Sequence, residues 1–211
     1  MTETNWNDLA QEYTKRDFPR NDWVYGYQPV LDLLGDINGK RILDYGCGSG
    51  KFSRVLAEKG AEVIAVDPTE SMLTLARAHN CQRINYQYIE SNDISFVDAI
   101  DAAVATYVLC GRADDQEVVD IIKNIYGKLS VGGSFIVLDP HPMNRLGADR
   151  SGLVKICLEG MQNPIFDYWR PVEKYVSLLQ EGGFALDTTL EPKDGWGNPQ
   201  MLIVRGRKCT R

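Results

Sequence analysis

Residues 41–67 read RILDYGCGSGKFSRVLAEKGAEVIAVD, and the fold follows from them. Ile42 and Leu43 form the apolar part of a short strand. Gly46, Gly48 and Gly50 then fall within one short loop, GCGSG. Glycine admits positive φ and lets a bound group come close to the backbone. Phe52, Val55 and Leu56 follow at helical spacing, so a helix should begin near Gly50. Val63, Ile64, Ala65 and Val66 make a nearly continuous apolar run, as in a strand buried on both faces, and Asp67 closes it. Strand, glycine loop, helix, strand and terminal acid make a βαβ unit, a layout that suits a nucleoside-bearing ligand.

The dinucleotide fingerprint G-x-G-x-x-G, counted from Gly46, would need a third glycine where this chain has Lys51. The loop reads instead D-x-G-x-G-x-G from Asp44 to Gly50. It resembles motif I of the class I S-adenosylmethionine (SAM)-dependent methyltransferases. The resemblance implies that the loop, with Gly46 and Gly48, passes under the methionine part of SAM. It implies that Asp67, with Pro68 beside it, takes the ribose, and that Asp44 lies near the methionyl amino group. The chemistry for Asp67 is direct: two hydroxyl donors meet a two-oxygen acceptor, and charge-assisted bonds are the stronger ones. By the same resemblance Met72 packs on the adenine or joins the core, and Asn92, Asp93 and Ile94 form the adenine loop. The exit of strand four, with Thr106 and Tyr107, should face the methionine part and the methyl group. Many relatives carry a histidine a few residues beyond, where this chain has Cys110. The N-terminal pattern W-x-x-x-A-x-x-Y, Trp6 to Tyr13, looks like the segment whose tyrosine closes over the methionine end of SAM in small-molecule methyltransferases.

The chain has 211 residues, enough for one sizeable α/β domain and too few for two. Its net charge of −6 argues against nucleic acid as the main partner, because phosphate binding needs a basic face. No apolar run is long enough to span a membrane, and the first residues carry neither a basic start nor an apolar segment of a signal peptide. The five cysteines are scattered and form no CxxC pair, so we expect reduced thiols, no zinc or other metal site, and a cytoplasmic protein, monomeric or homodimeric.

Residues 1–35 carry Trp6, Tyr13, Phe18, Trp23, Tyr25 and Tyr27. They read as a helical cap that buries its aromatics and serves as a lid, with helices starting at Asn5 or Asn7 and near Pro29. Asp114, Asp115 and Glu117 open a packing helix whose apolar face is Val118, Ile121, Ile122, Ile125 and Leu129. Residues 139–171 are rich in proline, glycine and aromatics, and insertions there usually build the acceptor pocket of this fold. His141 stands at that edge as a general-base candidate, because histidine titrates near neutral pH. Tyr25, Tyr107 and Trp169 are the expected acceptor contacts. The tail from Gly206 should fray.

These readings predict a doubly wound α/β domain over residues 36–211. Its seven-stranded, mostly parallel sheet of Rossmann-like methyltransferase type should have its last strand antiparallel and an N-terminal helical cap. The implied activity is methyl transfer from SAM to an O, N or C atom of a small molecule, with S-adenosylhomocysteine as product. No D/N-P-P-Y/F motif occurs at the strand-four exit; with the acidic charge and aromatic lid, this favours a small aromatic or apolar metabolite. A non-catalytic SAM-binding scaffold and an NAD-linked oxidoreductase are the alternatives.

Overall fold

The computed structural model describes residues 4–15, 20–79, 81–145, 152–158, 161 and 163–209. Phe18 and parts of the 139–171 segment lie outside them. Two halves of the chain differ in how they are built.

The first segment is helical: α1 (Trp6–Thr14), α2 (Arg20–Asp22), a π-helical turn (Trp23–Tyr27) and α3 (Gln28–Leu34). Asn5 caps α1 by accepting from the Asn7 amide, which satisfies one of the orphan donors of a helix start. Gly35 ends α3 at φ 67°, a conformation that glycine adopts without strain. β1 (Arg41–Tyr45), α4 (Lys51–Glu58), β2 (Glu62–Asp67), α5 (Glu70–Arg77) and β3 (Ile84–Tyr88) follow, and then β4 (Ile100–Thr106), α6 (Asp115–Lys128) and β5 (Leu129–Pro140). A separate antiparallel pair, β6 (Leu153–Ile156) with β7 (Ile165–Tyr168), precedes α7 (Val172–Glu181), β8 (Ala185–Leu190) and β9 (Met201–Arg207).

The main sheet runs β3-β2-β1-β4-β5-β9-β8. β9 alone opposes its neighbours, pairing antiparallel with both β5 and β8. The strand order reverses between β1 and β4, which opens a crevice at their carboxyl ends. Alternate strand residues feed two cores. Leu43, Val66, Phe135 and Val137 face α6 and α7, where Ile121, Ile122 and Leu178 are buried. Ile42, Val63, Val104 and Ile136 face α4 and the cap, where Leu56, Val30 and Leu34 are buried. Burial on both faces explains why these strands read as continuous apolar runs, each large residue contributing about 1.5–3 kcal/mol.

Two local expectations need correction. The tail does not fray at Gly206: this residue pairs with Phe135, and Lys208 exchanges backbone bonds with Gly132 and Gly133. The Lys208 ammonium also donates to Tyr126 and Leu129 carbonyls at the end of α6, where a cation suits the helix dipole. The proline-rich segment is not merely irregular, since it contains the β6–β7 pair. Among the described residues no helix is long and apolar enough to cross a membrane.

Candidate active site

At the tip of β1 the loop turns on Gly46, Gly48 and Gly50, at φ 75°, 53° and 72°. The amides of Gly46 and Cys47 both donate to the Val66 carbonyl, at 2.8 and 2.9 Å, so β2 fixes the loop. A Cβ on Gly46 would lie 2.4 Å from Val108 Cγ2, which leaves no room for any other residue. Asp67 ends β2 with both oxygens engaged: Oδ2 accepts from the Gly48 amide at 2.8 Å and Oδ1 from the Thr69 amide at 2.8 Å. Burial raises its pKa, and the bonds from Gly48 and Thr69 oppose that rise. Thr69 stands at the N-cap of α5, without a side-chain capping bond.

Asp44 lies behind the loop and is 1% exposed. Its Oδ2 accepts from Ser53 Oγ at 2.5 Å, while Oδ1 is buried with no partner. Burial lifts its pKa to about 6, against the Ser53 bond and with a further push from Asp67. A buried carboxylate with an orphaned oxygen is costly unless a donor meets it.

The crevice opens into a cavity of about 750 Å³. Gly46, Gly48, Asp67, Pro68, Thr69 and Met72 line it from the glycine loop and the turn into α5, with Trp6, Asn7 and Tyr13 of α1. Thr106, Tyr107, Val108 and Cys110 line it from the exit of β4, where Val108 packs on Gly46, together with Asp22, Tyr27, Ile165, Asp167 and Met201. Tyr107 holds φ at 60°, a strained value for a bulky residue, with its amide donating to the Leu138 carbonyl at 2.7 Å. The Tyr27 ring lies 6.0 Å from Tyr107 and 4.8 Å from Phe52. Burial raises the pKa of both phenols and of the Cys47 thiol, so all three stay protonated near neutral pH. The cap is tied down at both ends of the cavity. Ser71 Oγ of α5 bonds Asn7 Oδ1 at 2.9 Å, and Thr4 Oγ accepts from the Phe166 amide of β7 at 2.8 Å.

Of the residues expected from sequence, Tyr13, Gly46, Gly48, Asp67, Pro68, Met72, Thr106 and Tyr107 gather around this cavity. Others stand elsewhere. His141 is 3% exposed, Nδ1 accepts from the Met143 amide at 3.2 Å, and Nε2 sits 2.8 Å from Glu191 Oε2. An accepting Nδ1 leaves the proton on Nε2, which donates to the carboxylate, so the ring has no lone pair for an acceptor. Tyr25 packs in the cap core, and the π-turn presents Tyr27 to the cavity instead. Trp169 is 43% exposed and borders a shallow groove beside Asp115 and Lys174. Ile94 is core, and Asp93 is exposed and bonded to Ser95. Asn92 accepts from the Tyr45 hydroxyl at 2.7 Å and donates to Glu117, which in turn holds Arg112 of the cavity wall. Sequence reasoning missed Asp22 and Asp167, lone acids in polar or aromatic contexts, because nothing local marks them. Cys110 does line the cavity, where relatives were expected to carry histidine.

The sequence matches the family model described as a methyltransferase domain over residues 42–133. N-demethylindolmycin N-methyltransferase of Streptomyces griseus is 31% identical, across 96% of this chain and 98% of that protein. The chain belongs to the SAM-dependent methyltransferases. Consistently, an S-adenosylmethionine-dependent methyltransferase from Mesorhizobium loti is 25% identical and superposes with a TM-score of 0.69 over 88% of this chain and 97% of that one. The DhpI–SAH complex shares the fold, with a TM-score of 0.74 over 98% and 94% of the two chains at 20% identity. Membership sets the nicotinamide and non-catalytic alternatives aside and gives this methyltransferase SAM as its cofactor. The residues present fit that group: open space beside Gly48 of the glycine loop, a nearby acid for paired hydroxyls, and a buried carboxylate with an unmet oxygen at Asp44.

Proposed function

We propose that this enzyme methylates an O, N or C atom of a small-molecule metabolite in the cytoplasm, with residues 36–211 as the SAM domain and residues 1–35 as its lid. The observation that carries the reading is the single cavity joining the glycine-loop end to the aromatic end beneath the cap. On this reading Asp67 and Pro68 hold the ribose side, Met72 lies on the base, and Gly46 and Gly48 carry the methionine part. Asp44 offers its unmet oxygen to the amino group, and Tyr13 closes above. When bound, SAM supplies an electrophilic methyl on a sulfonium. Thr106 and Tyr107 then face the transfer, and the β6–β7 pair walls the acceptor side. Alignment is the main contribution of the protein, since well-oriented reactants gain effective molarities worth roughly 7–11 kcal/mol. The cap excludes water from that space. The name of the Streptomyces griseus relative supports nitrogen as the first acceptor atom to test.

The test is an acceptor screen with methyl-labelled SAM, read by label transfer to product. Turnover of small amines, phenols or activated carbons supports the reading. Label transfer only to nucleic acid or protein would overturn it.

A further inference from the structure

The acceptor end of the cavity has a wall chemistry of its own. Asp22, Tyr27 and Tyr107 all line it, drawn from α2, the π-turn and the exit of β4. Tyr27 and Tyr107 stand 6.0 Å apart with their ring planes 51° from parallel, so they enclose a corner rather than stack. The Tyr107 hydroxyl donates to Met201 Sδ at 3.6 Å, and burial, helped by the nearby Asp22 carboxylate, raises its pKa. The negative charge of Asp22 acts on both Tyr27 and Tyr107. Asp167, 6% exposed, brings a second carboxylate to the cavity. Among the described residues two cations line the cavity, Arg112 and Lys51. Arg112 is bound to Glu117 at 3.1 Å, and Lys51 follows the glycine loop at the start of α4.

We infer that the acceptor is a cationic amine, received in the corner made by the rings of Tyr27 and Tyr107 with Asp22 as its counter-charge. This rests on the methyl-transfer reading above and adds the chemical class of the acceptor. Ring faces attract a desolvated ammonium, and a carboxylate at the edge of the rings offsets the cost of taking that charge out of water. The chemistry balances. The ammonium gives one proton to solvent by way of Asp22. The freed lone pair bonds to the methyl carbon while the C–S bond breaks, its electron pair staying on a neutral thioether sulfur. The nitrogen is again an ammonium, so the same rings and carboxylate face a positive charge before and after transfer. Charge that develops on nitrogen is met by groups already in place.

Choline and its neutral isostere 3,3-dimethylbutan-1-ol probe the site, because choline has no lone pair and binds without turnover. Each is titrated calorimetrically into the full-length enzyme saturated with S-adenosylhomocysteine. Choline should bind at least about tenfold more tightly than the alcohol. Asp22→Asn and, separately, Tyr27→Leu should abolish that preference while leaving S-adenosylhomocysteine affinity within about twofold. Equal binding of the two probes, no binding of either, or a preference untouched by Asp22→Asn would overturn the inference. The same variants are titrated with SAM and with S-adenosylhomocysteine. If Asp22→Asn shifts the ratio of those affinities and spares the choline preference, the rings serve the sulfonium and the inference falls. Failure of S-adenosylhomocysteine to bind the unaltered enzyme would instead strike the methyl-transfer reading itself.

Discussion

The two ends of the cavity are made of different material. The glycine-loop end comes mostly from one contiguous span, residues 46–72, and much of it is backbone: glycine turns, amides on Val66, and an acid that holds the loop as well as facing the cavity. The aromatic end gathers side chains from the cap, the exit of β4, the β6–β7 pair and the start of β9. Backbone geometry admits few substitutes, whereas a set of side chains on separate elements can change one at a time. One fold hosts many chemistries when separate side chains vary around a fixed backbone site.

Substitutions can break this contrast, and the largest effect belongs at Gly46. Gly46→Ala puts a side chain at φ 75° and 2.4 Å from Val108, which should cost about 2–5 kcal/mol of stability from strain and overpacking together. Gly48→Ala, with open space around its Cβ, should cost only the left-handed strain of about 1–2 kcal/mol, yet still weaken S-adenosylhomocysteine binding. Denaturant melts and calorimetric titration of both variants check this pair. A next smaller effect is expected at Asp67. Asp67→Ala should weaken S-adenosylhomocysteine binding by about 1.5–3 kcal/mol, the scale of bonds to a charged group. An unchanged affinity in a folded variant would remove the ribose assignment.

Protons sharpen the same comparison. The pKa of Asp44 is raised to about 6 and that of Asp139, buried at the end of β5 beside Asp167, to about 7, from an ordinary value near 3.8. Both groups therefore hold protons more tightly folded than unfolded. Their contribution is fully present below about pH 4 and is lost as pH rises through 6 and 7. A pH series of melts should show Asp139→Asn reducing that loss. A ligand ammonium beside Asp44 would favour its carboxylate, so S-adenosylhomocysteine binding near pH 6 should release about half a proton. Titrations in buffers of different ionisation enthalpy measure it, and no release would separate Asp44 from the ligand. The smallest effect is expected at His141, whose ring is tied to Glu191 and the Met143 amide. With an acceptor in hand, His141→Gln should lower the transfer rate by less than about tenfold, well short of the loss of a general base.

The geometry of the glycine-loop end was legible because its signals are local. Glycine spacing, the apolar run of β2 and the acid after it all lie within one βαβ unit, and Gly50 and Asp114 stand at helix N-caps where their sequence contexts start a helix. The aromatic end was not, for physical reasons at particular residues. Tyr25 and Tyr27 look alike in sequence. The π-turn, seated where Gly26 comes within 3.1 Å of Leu138 measured from its would-be Cβ, decides which ring reaches the cavity. His141 is captured by a carboxylate 50 residues away, which no local pattern encodes. Asn92 acts on the wall through Glu117 and Arg112 rather than by contact. Asp22 reaches the cavity from a three-residue helix that no local pattern marks.

The central claim is that the glycine-loop end of the cavity holds SAM. The most direct measurement is thermal unfolding of the purified chain with SAM, S-adenosylhomocysteine and NAD in parallel. Ligand at about 100 times its Kd should stabilise by roughly 2.7 kcal/mol, and the account predicts this for the first two and not for NAD. Stabilisation by NAD alone, or by none of the three, would contradict it.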